Sequence, residues 1–394
     1  MQKRNNLLGN KLVTFSMLIL VAFGSLMIAS AEMGNSVGDT NYLTGVITRQ
    51  VIYAVFGIIG YFFLMHAKVY KWKFFFIKLG YFVLLGTLIA CRAFSPANGA
   101  YAWLRFGSFT IQPSEFAKTY IIVLGARLFA NDHKELNTKY YWQFAGCCSI
   151  YFVIILLIQN DLGSSVVLAV ISYLILIVPP YKELKIYQKR MIYLMLGAIA
   201  ILFFMMSGFV TKLLMNFSDD YRVARFLAAA NPFMYRYDNG YHIIMSLVSF
   251  ANGNIFGLGL GNSIHKYMNF PNPSNDFILP IIVEEFGIVG FIGFVVAYLM
   301  ILLPFVYASL KTDRISSKIV YLGLFTYFMV HFILNVGGVS AIIPLTGVPL
   351  LIMSSGGSSL VSSLACLGIA QGELLRNKES SNESNSREIQ KNSN

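Results

Sequence analysis

PNPSNDFILPIIVEEFGIVG, residues 271–290, joins a polar turn to a long apolar run. It sets one carboxylate, Asp276, where a long loop enters the apolar segment, and an acid pair, Glu284 and Glu285, about two turns further in. Acids in an apolar run of membrane length are costly and mark functional sites by default. In a membrane protein Asp276 would stand at the border of water and lipid, where a base can meet a lipid-linked substrate.

Composition supports the membrane. Of 394 residues 56% are hydrophobic and only 12% charged, against roughly a quarter charged in soluble domains. The fold class is therefore all-α and polytopic. Apolar runs at 12–30, 46–65, 74–91, 111–130, 144–159, 164–179, 191–210, 277–308, 319–334 and 344–372 give about ten spans, each near the ~20 residues that cross a bilayer. Pro280 and Pro304 are expected to kink or end the long eighth run. Ala29-Ser30-Ala31 resembles a signal-peptidase site, but the length of the first run favours a retained span.

The net charge of +12 follows from short basic loops, not from a nucleic-acid surface, because the cations form no continuous stripe. Lys68, Lys71 and Lys73; Lys134 and Lys139; Lys182, Lys185, Lys189 and Arg190; and Lys311, Arg314 and Lys318 mark cytoplasmic loops. The loop at 32–44 has no Lys or Arg and belongs outside. Both termini are then cytoplasmic, and a large outer loop at 211–275 separates spans 7 and 8. The transmembrane domain covers 1–375, and the polar tail 376–394 is expected to be disordered. Cys91, Cys147, Cys148 and Cys366 lie in apolar runs without CxxC spacing and indicate neither disulfides nor zinc.

Four islands carry the chemistry. In WLRFGSFTIQPSEFAK, 103–118, Pro113 suits a first helical turn. Glu115 and Lys118 then share a helix face as either a self-neutralising pair or a cation facing a cavity. In QNDLGSS, 159–165, Asp161 suits an N-cap. In the outer loop, Gly257, Gly259 and Gly261 permit turns or a phosphate cradle, and Tyr241, Ile243, Ile244, Leu247, Val248 and Phe250 suit an interfacial helix. The run 335–360 mixes small residues, prolines and hydroxyls as in close-packed or broken helices.

Together these islands resemble the SEDS family (shape, elongation, division and sporulation; FtsW, RodA and SpoVE). WLRFGSFTIQPSEFAK, QNDLG, GLGLGNSIHKYMNFPNPSNDFILPIIVEEFG and SSGGSSL occur in the family's order, and the resemblance covers about 12–372. The GNSxxK pattern, Gly261 to Lys266, is closer to the FtsW and SpoVE branch than to RodA. Asn160, Ser355, Ala102, and Leu279 with Pro280 depart from the family pattern.

The resemblance implies a peptidoglycan glycosyltransferase that polymerises lipid II at the outer face of the bacterial plasma membrane. The family's essential outer acid falls on Asp276, the general base for the acceptor 4-hydroxyl. The lysine that faces it falls on Lys118, holding Asp276 ionised by opposite charge. Gln112, Ser114 and Glu115 of the QPSE motif, with Arg105, Arg222, Arg225, Ser263 and Lys266, are candidate substrate and diphosphate contacts. Glu284 and Glu285 would shape the cavity. A divalent cation, Mg2+ or Mn2+, is an open candidate beside them, although no acidic cluster has clear ligand spacing. Membrane lipid and a class B penicillin-binding transpeptidase are the implied partners. Two other classes fit some of the residues: a lipid carrier, which would place its ionisable groups near the midplane, and a scaffold indifferent to loss of Asp276.

Overall fold

The computed structural model describes residues 10–37, 40–67, 69, 72–97, 99–107, 109–131, 138–180, 183–205, 210, 221–237, 240–268, 270 and 272–392. Ten long helices build the bundle among these residues: α1 (Lys11–Glu32), α2 (Thr40–His66), α3 (Phe74–Ala90), α4 (Pro113–Leu128), α5 (Thr138–Val153), α6 (Leu162–Ile177), α7 (Lys185–Met205), α10 (Ile278–Lys311), α11 (Ile315–Val339) and α12 (Gly357–Asn392). Two short helices, α8 (Tyr221–Ala230) and α9 (Tyr241–Gly253), lie between α7 and α10. Seven helices are long and apolar enough to cross a membrane, and α6 is apolar but shorter. The protein is thus the expected all-α polytopic membrane protein. Lys68, Lys71, Lys134 and Lys182 of the basic loops, and residues 211–220 of the outer loop, lie outside the described residues.

The first span is integral to the bundle. Val13, Met17, Met27 and Ile28 of α1 are fully buried, and α1 packs along α10 while α12 packs along α2. Gly24 lets α1 approach the backbone at Ile352, where a Cβ would lie 2.6 Å from the carbonyl oxygen.

Two expectations are corrected. The run that begins at Pro344 is not helical until Gly357. Residues 343–356 instead thread the bundle irregularly, with Val348, Leu350, Leu351, Ile352 and Met353 buried. Unpaired backbone is tolerated at membrane depth only inside protein, and here neighbours supply partners. Asn335 Nδ2 donates to Val348 O at 3.0 Å, and Leu350 N–H donates to Ser354 Oγ at 2.9 Å.

The break in the eighth run comes at Gly287 (φ 66°, ψ −165°), not at a proline. Pro280 sits in the first turn, where its missing N–H is harmless, and the helix continues through Pro304. At the break the ladder is exchanged with the preceding loop. Leu258 and Gly259 N–H donate to Glu284 and Glu285 O, both at 2.9 Å, while Ile288 and Val289 N–H donate to Asn254 and Ile255 O at 3.0 and 3.1 Å. Those carbonyls and amides would otherwise bond each other at the usual four-residue step. Hydropathy carries no trace of this exchange.

Beyond Arg376, α12 runs on to Asn392. No Gly or Pro follows Gly372 to stop the helix.

At the outer end a two-stranded hairpin, β1 (Leu104–Phe106) with β2 (Phe109–Ile111), pairs Arg105 with Thr110. The helix expected around Tyr241 is present as α9. Its buried side combines Ile243 with Ser246, Ser249 and Gly253. Gly253 lies so close to Val283 O (2.0 Å from a built Cβ) that small residues, not the apolar stripe alone, set the packing.

Candidate functional site

Asp276 is presented by a turn whose backbone is clamped on three successive carbonyls. Ser355 N–H donates to Ser274 O at 2.8 Å, Ser354 Oγ to Asn275 O at 2.7 Å, and Asn335 Nδ2 to Asp276 O at 2.9 Å. Ser355 Oγ also donates to the Asn275 carboxamide. From the other side, Ser274 Oγ donates to Glu32 at the end of α1, and Asn35 and Tyr42 donate to the same carboxylate at 2.9 and 3.0 Å. The irregular segment 343–356 thus holds the turn. The Ser355 departure from the family pattern falls on this clamp.

The Asp276 carboxylate itself accepts no hydrogen bond among the described residues. It is half-buried, and a Cβ on Gly347 (φ +70°) would lie 3.6 Å from its Oδ2. Burial pushes its pKa up to about 6, with the Arg225 cation drawing it down and the Asp161 anion pushing it further up. A carboxylate poised near neutral pH and left unpaired has the electronic properties of a general base.

Around it stand two groups from the sequence reading. Arg225, on α8, donates NH1 to Leu345 O at 3.1 Å and so lies against the irregular segment. Asp161 caps α6, as expected, with Oδ1 accepting from Ser164 N–H at 2.9 Å. Its Oδ2 accepts from Gln112 Nε2 at 3.1 Å. Ser114 Oγ meets Ser164 Oγ at 3.4 Å, and Gln112 N–H donates to Ser358 Oγ at 2.9 Å. Gln112, Ser114 and Asp161 therefore form one polar seam between α4, α6 and α12. Asn160 holds the preceding turn at φ 58°, a conformation that proline cannot adopt.

Lys118 is placed differently from the expectation. Its ammonium is fully buried and is spent on Glu115 Oε1 at 2.6 Å and His331 Nε2 at 3.4 Å. Tyr327 OH completes Glu115, donating to Oε2 at 3.1 Å. The charges that act on Asp276 are Arg225 and Asp161, so Lys118 does not hold Asp276 by direct pairing. The reason is helical spacing: Glu115 lies one turn away and neutralises Lys118 within α4. The link to Asp276 is indirect. His331 Nδ1 faces Pro349 O at 2.9 Å and must carry the hydrogen, because a carbonyl only accepts. Nε2 is then the acceptor for Lys118. Asn335, one turn on, bonds both Val348 O and Asp276 O.

A second buried cluster gathers Ser263, Lys266, Glu284 and Glu285. Glu284 accepts from His265 Nδ1 at 2.7 Å and from Ser263 Oγ. Glu285 Oε1 accepts from Lys266 Nζ at 3.0 Å and from Ser30 Oγ at 2.7 Å. Lys266 Nζ also donates to Gly261 O at 2.7 Å. All three charges are buried, so Lys266 and Ser263 strap the loop to α10 and α1 instead of presenting charge to a diphosphate. Gly257 and Gly259 serve the backbone exchange with α10, not a phosphate cradle. A Cβ on Gly257 would lie 2.2 Å from Glu285 O.

Arg105 is exposed on the hairpin and donates to Ser95 Oγ at 3.1 Å. Arg222 stands on α8, and its side chain lies outside the described residues. Among the described residues no group of three or more His, Cys, Asp or Glu side chains is arranged to hold a metal ion. Sequence reading missed Glu32, Ser274, Ser354, His331 and Asn335, which act through long-range contacts that no local pattern encodes.

Residues 10–377 match the model of a family described as "Cell cycle protein" (FtsW/RodA/SpoVE). The chain is 30% identical over 364 residues to a "Probable peptidoglycan glycosyltransferase FtsW" of Geobacter metallireducens, covering 91% of this chain and 92% of that one. It is 29% identical over 358 residues to "Stage V sporulation protein E" of Bacillus subtilis, covering 89% and 93%. Among solved structures it resembles a chain from a study of "polymerization and crosslinking by a peptidoglycan synthase complex" (TM-score 0.66, 22% identity, covering 93% and 97%). It also resembles the rod shape determining protein RodA of Thermus thermophilus (TM-score 0.57, 21% identity, covering 92% and 95%). At these identities the two structures speak to the fold.

Proposed function

Because the chain belongs to the FtsW/RodA/SpoVE family of cell cycle proteins, we propose that it is a peptidoglycan glycosyltransferase, polymerising lipid II at the outer face of the bacterial plasma membrane with Asp276 as general base. The observation that carries this is the state of Asp276. Its backbone is fixed at three successive carbonyls while its carboxylate accepts no hydrogen bond among the described residues, and burial pushes its pKa up to about 6.

In the reaction Asp276 takes the proton of the acceptor 4-hydroxyl as that oxygen attacks C1 of the donor sugar. The C1–O bond to the diphosphate breaks, the leaving group departs with the electron pair, and configuration inverts. Arg225, whose charge acts on Asp276, is the cation assigned to the departing diphosphate. Its second effect, drawing Asp276 towards ionisation, keeps the base competent near neutral pH. Lys118 acts as a positioning residue, since its pair with Glu115 anchors His331 and, through Pro349 and Asn335, the segment beneath Asp276.

The GNSxxK pattern and the relatives named FtsW and SpoVE favour a division or sporulation role over elongation, working beside a class B penicillin-binding transpeptidase. Polymerisation of purified lipid II by the purified protein and by Asp276→Ala, each with the cognate transpeptidase, tests the proposal. Glycan from the parent and none from the variant is expected. No glycan from either, with the complex intact, turns the reading to transport, measured as lipid II movement across liposomes.

A further inference from the structure

The basic end of the bundle holds a cavity that the site above does not use. It measures about 60 Å3 and lies where α4, α11 and α12 converge beside Val69. That is room for several waters. Val123, Ala126, Val320 and Ile369 make its walls apolar, and three charged side chains reach it: Arg127, Glu373 and Arg376. Glu373 is already matched. It accepts from Ser317 Oγ at 3.0 Å and from Arg376 NH1 at 3.3 Å on both oxygens.

Arg127 has no such match. Its Nε is buried without a hydrogen-bond partner, and it joins none of the four ion pairs among the described residues. Among the described residues the cavity therefore carries one uncompensated positive charge. Its position fixes the surroundings of that charge. The last turn of α4, the first turn of α11 and the exit of α12 all lie at the end bearing Lys311, Arg314 and Lys318, which the loop charges orient to the cytoplasm.

We propose that this cavity binds the phosphate of an anionic phospholipid of the inner leaflet, with Arg127 as its cation. A phosphodiester carries a single negative charge, which matches the single unpaired arginine. The guanidinium offers a planar fork of donors suited to two phosphate oxygens. The apolar walls would take the glycerol and the first methylenes. Basic pockets between spans on the cytoplasmic side are suited to such headgroups. A free phosphate would meet the same cation but would leave those walls against water.

The full-length protein in mild detergent is incubated with phosphatidylglycerol, with phosphatidylcholine, or with phosphatidylglycerol plus millimolar inorganic phosphate. Retained lipid is counted by native mass spectrometry. The parent is expected to retain phosphatidylglycerol preferentially. Arg127→Gln should lower that preference about fivefold, the factor one cation gives at an anionic surface. Ala130→Trp, at the exposed rim of the cavity, should reduce retained lipid with Arg127 intact, and it decides the matter should Arg127→Gln fail to fold. Equal retention by the parent and both variants overturns the proposal. Displacement of the lipid by inorganic phosphate assigns the site to a free anion and overturns it too.

Discussion

A carboxyl whose pKa moves from 3.8 to about 6 on folding binds its proton more tightly in the native state. Ionising it costs the fold on the order of 3 kcal/mol. That stability is complete below pH 4 and is lost as pH rises through 6. Asp276→Asn should therefore unfold at a higher temperature than the parent at pH 8, show no such gain at pH 4, and make no glycan at either pH. Lack of a gain at pH 8 in thermal scans would remove the burial argument for the base. Activity of the parent should fall about tenfold for each pH unit below 6, read from initial rates of lipid II polymerisation. Lys118 behaves differently because its charge is internal to a buried pair. Lys118→Met strands Glu115 and should cost about 3–5 kcal/mol, whereas adding Glu115→Gln should recover much of it, a comparison that a double-mutant cycle in chemical denaturant measures. Asp276 was legible in the sequence because a lone acid at the head of an apolar run is rare. For Lys118 the i,i+3 spacing allowed either a pair with Glu115 or a cavity-facing cation; the structure takes the pair, and the contact with His331, on another helix, was not legible.

Elements show where periodicity ends and backbone chemistry takes over. The helices were legible as apolar runs, and seven of them are long and apolar enough to cross a membrane. The break in α10 was assigned to proline, the residue that removes a donor, yet Gly287 supplies a conformation in which only glycine is at ease. Gly287→Ala would bring a Cβ to 2.3 Å from Ile255 O in a backbone conformation suited only to glycine, and should destabilise by about 3 kcal/mol. Thermal unfolding of that variant in detergent checks this; a loss below the level of an ordinary surface change would mean the loop exchange is dispensable. Segment 343–356 was misread for a related reason. Its apolar composition looks like a span, its prolines and small residues fit close packing as well as a broken helix, and Gly347 and Ile352 at positive φ mark where it winds through the bundle.

At the scale of the whole molecule, the loop charges predict which end faces which compartment. Cys91, Cys148 and Cys366 are buried and Cys147 is half-buried within α5, so a background-free labelling test is available. Phe256→Cys, in the exposed outer loop, should react with an impermeant maleimide on intact cells, and Asp313→Cys only after permeabilisation. The reverse pattern would invert the topology and remove Asp276 from the outer face. The irregular segment before α12 has a further consequence, for biogenesis. An insertion machinery that reads hydropathy meets 344–372 as one continuous span, whereas the finished protein uses a helix that begins at Gly357. The residues ahead of it must leave lipid for the interior once α1 and α11 are there to receive them, so the cradle of Asp276 is assembled late, from the first span and the last together.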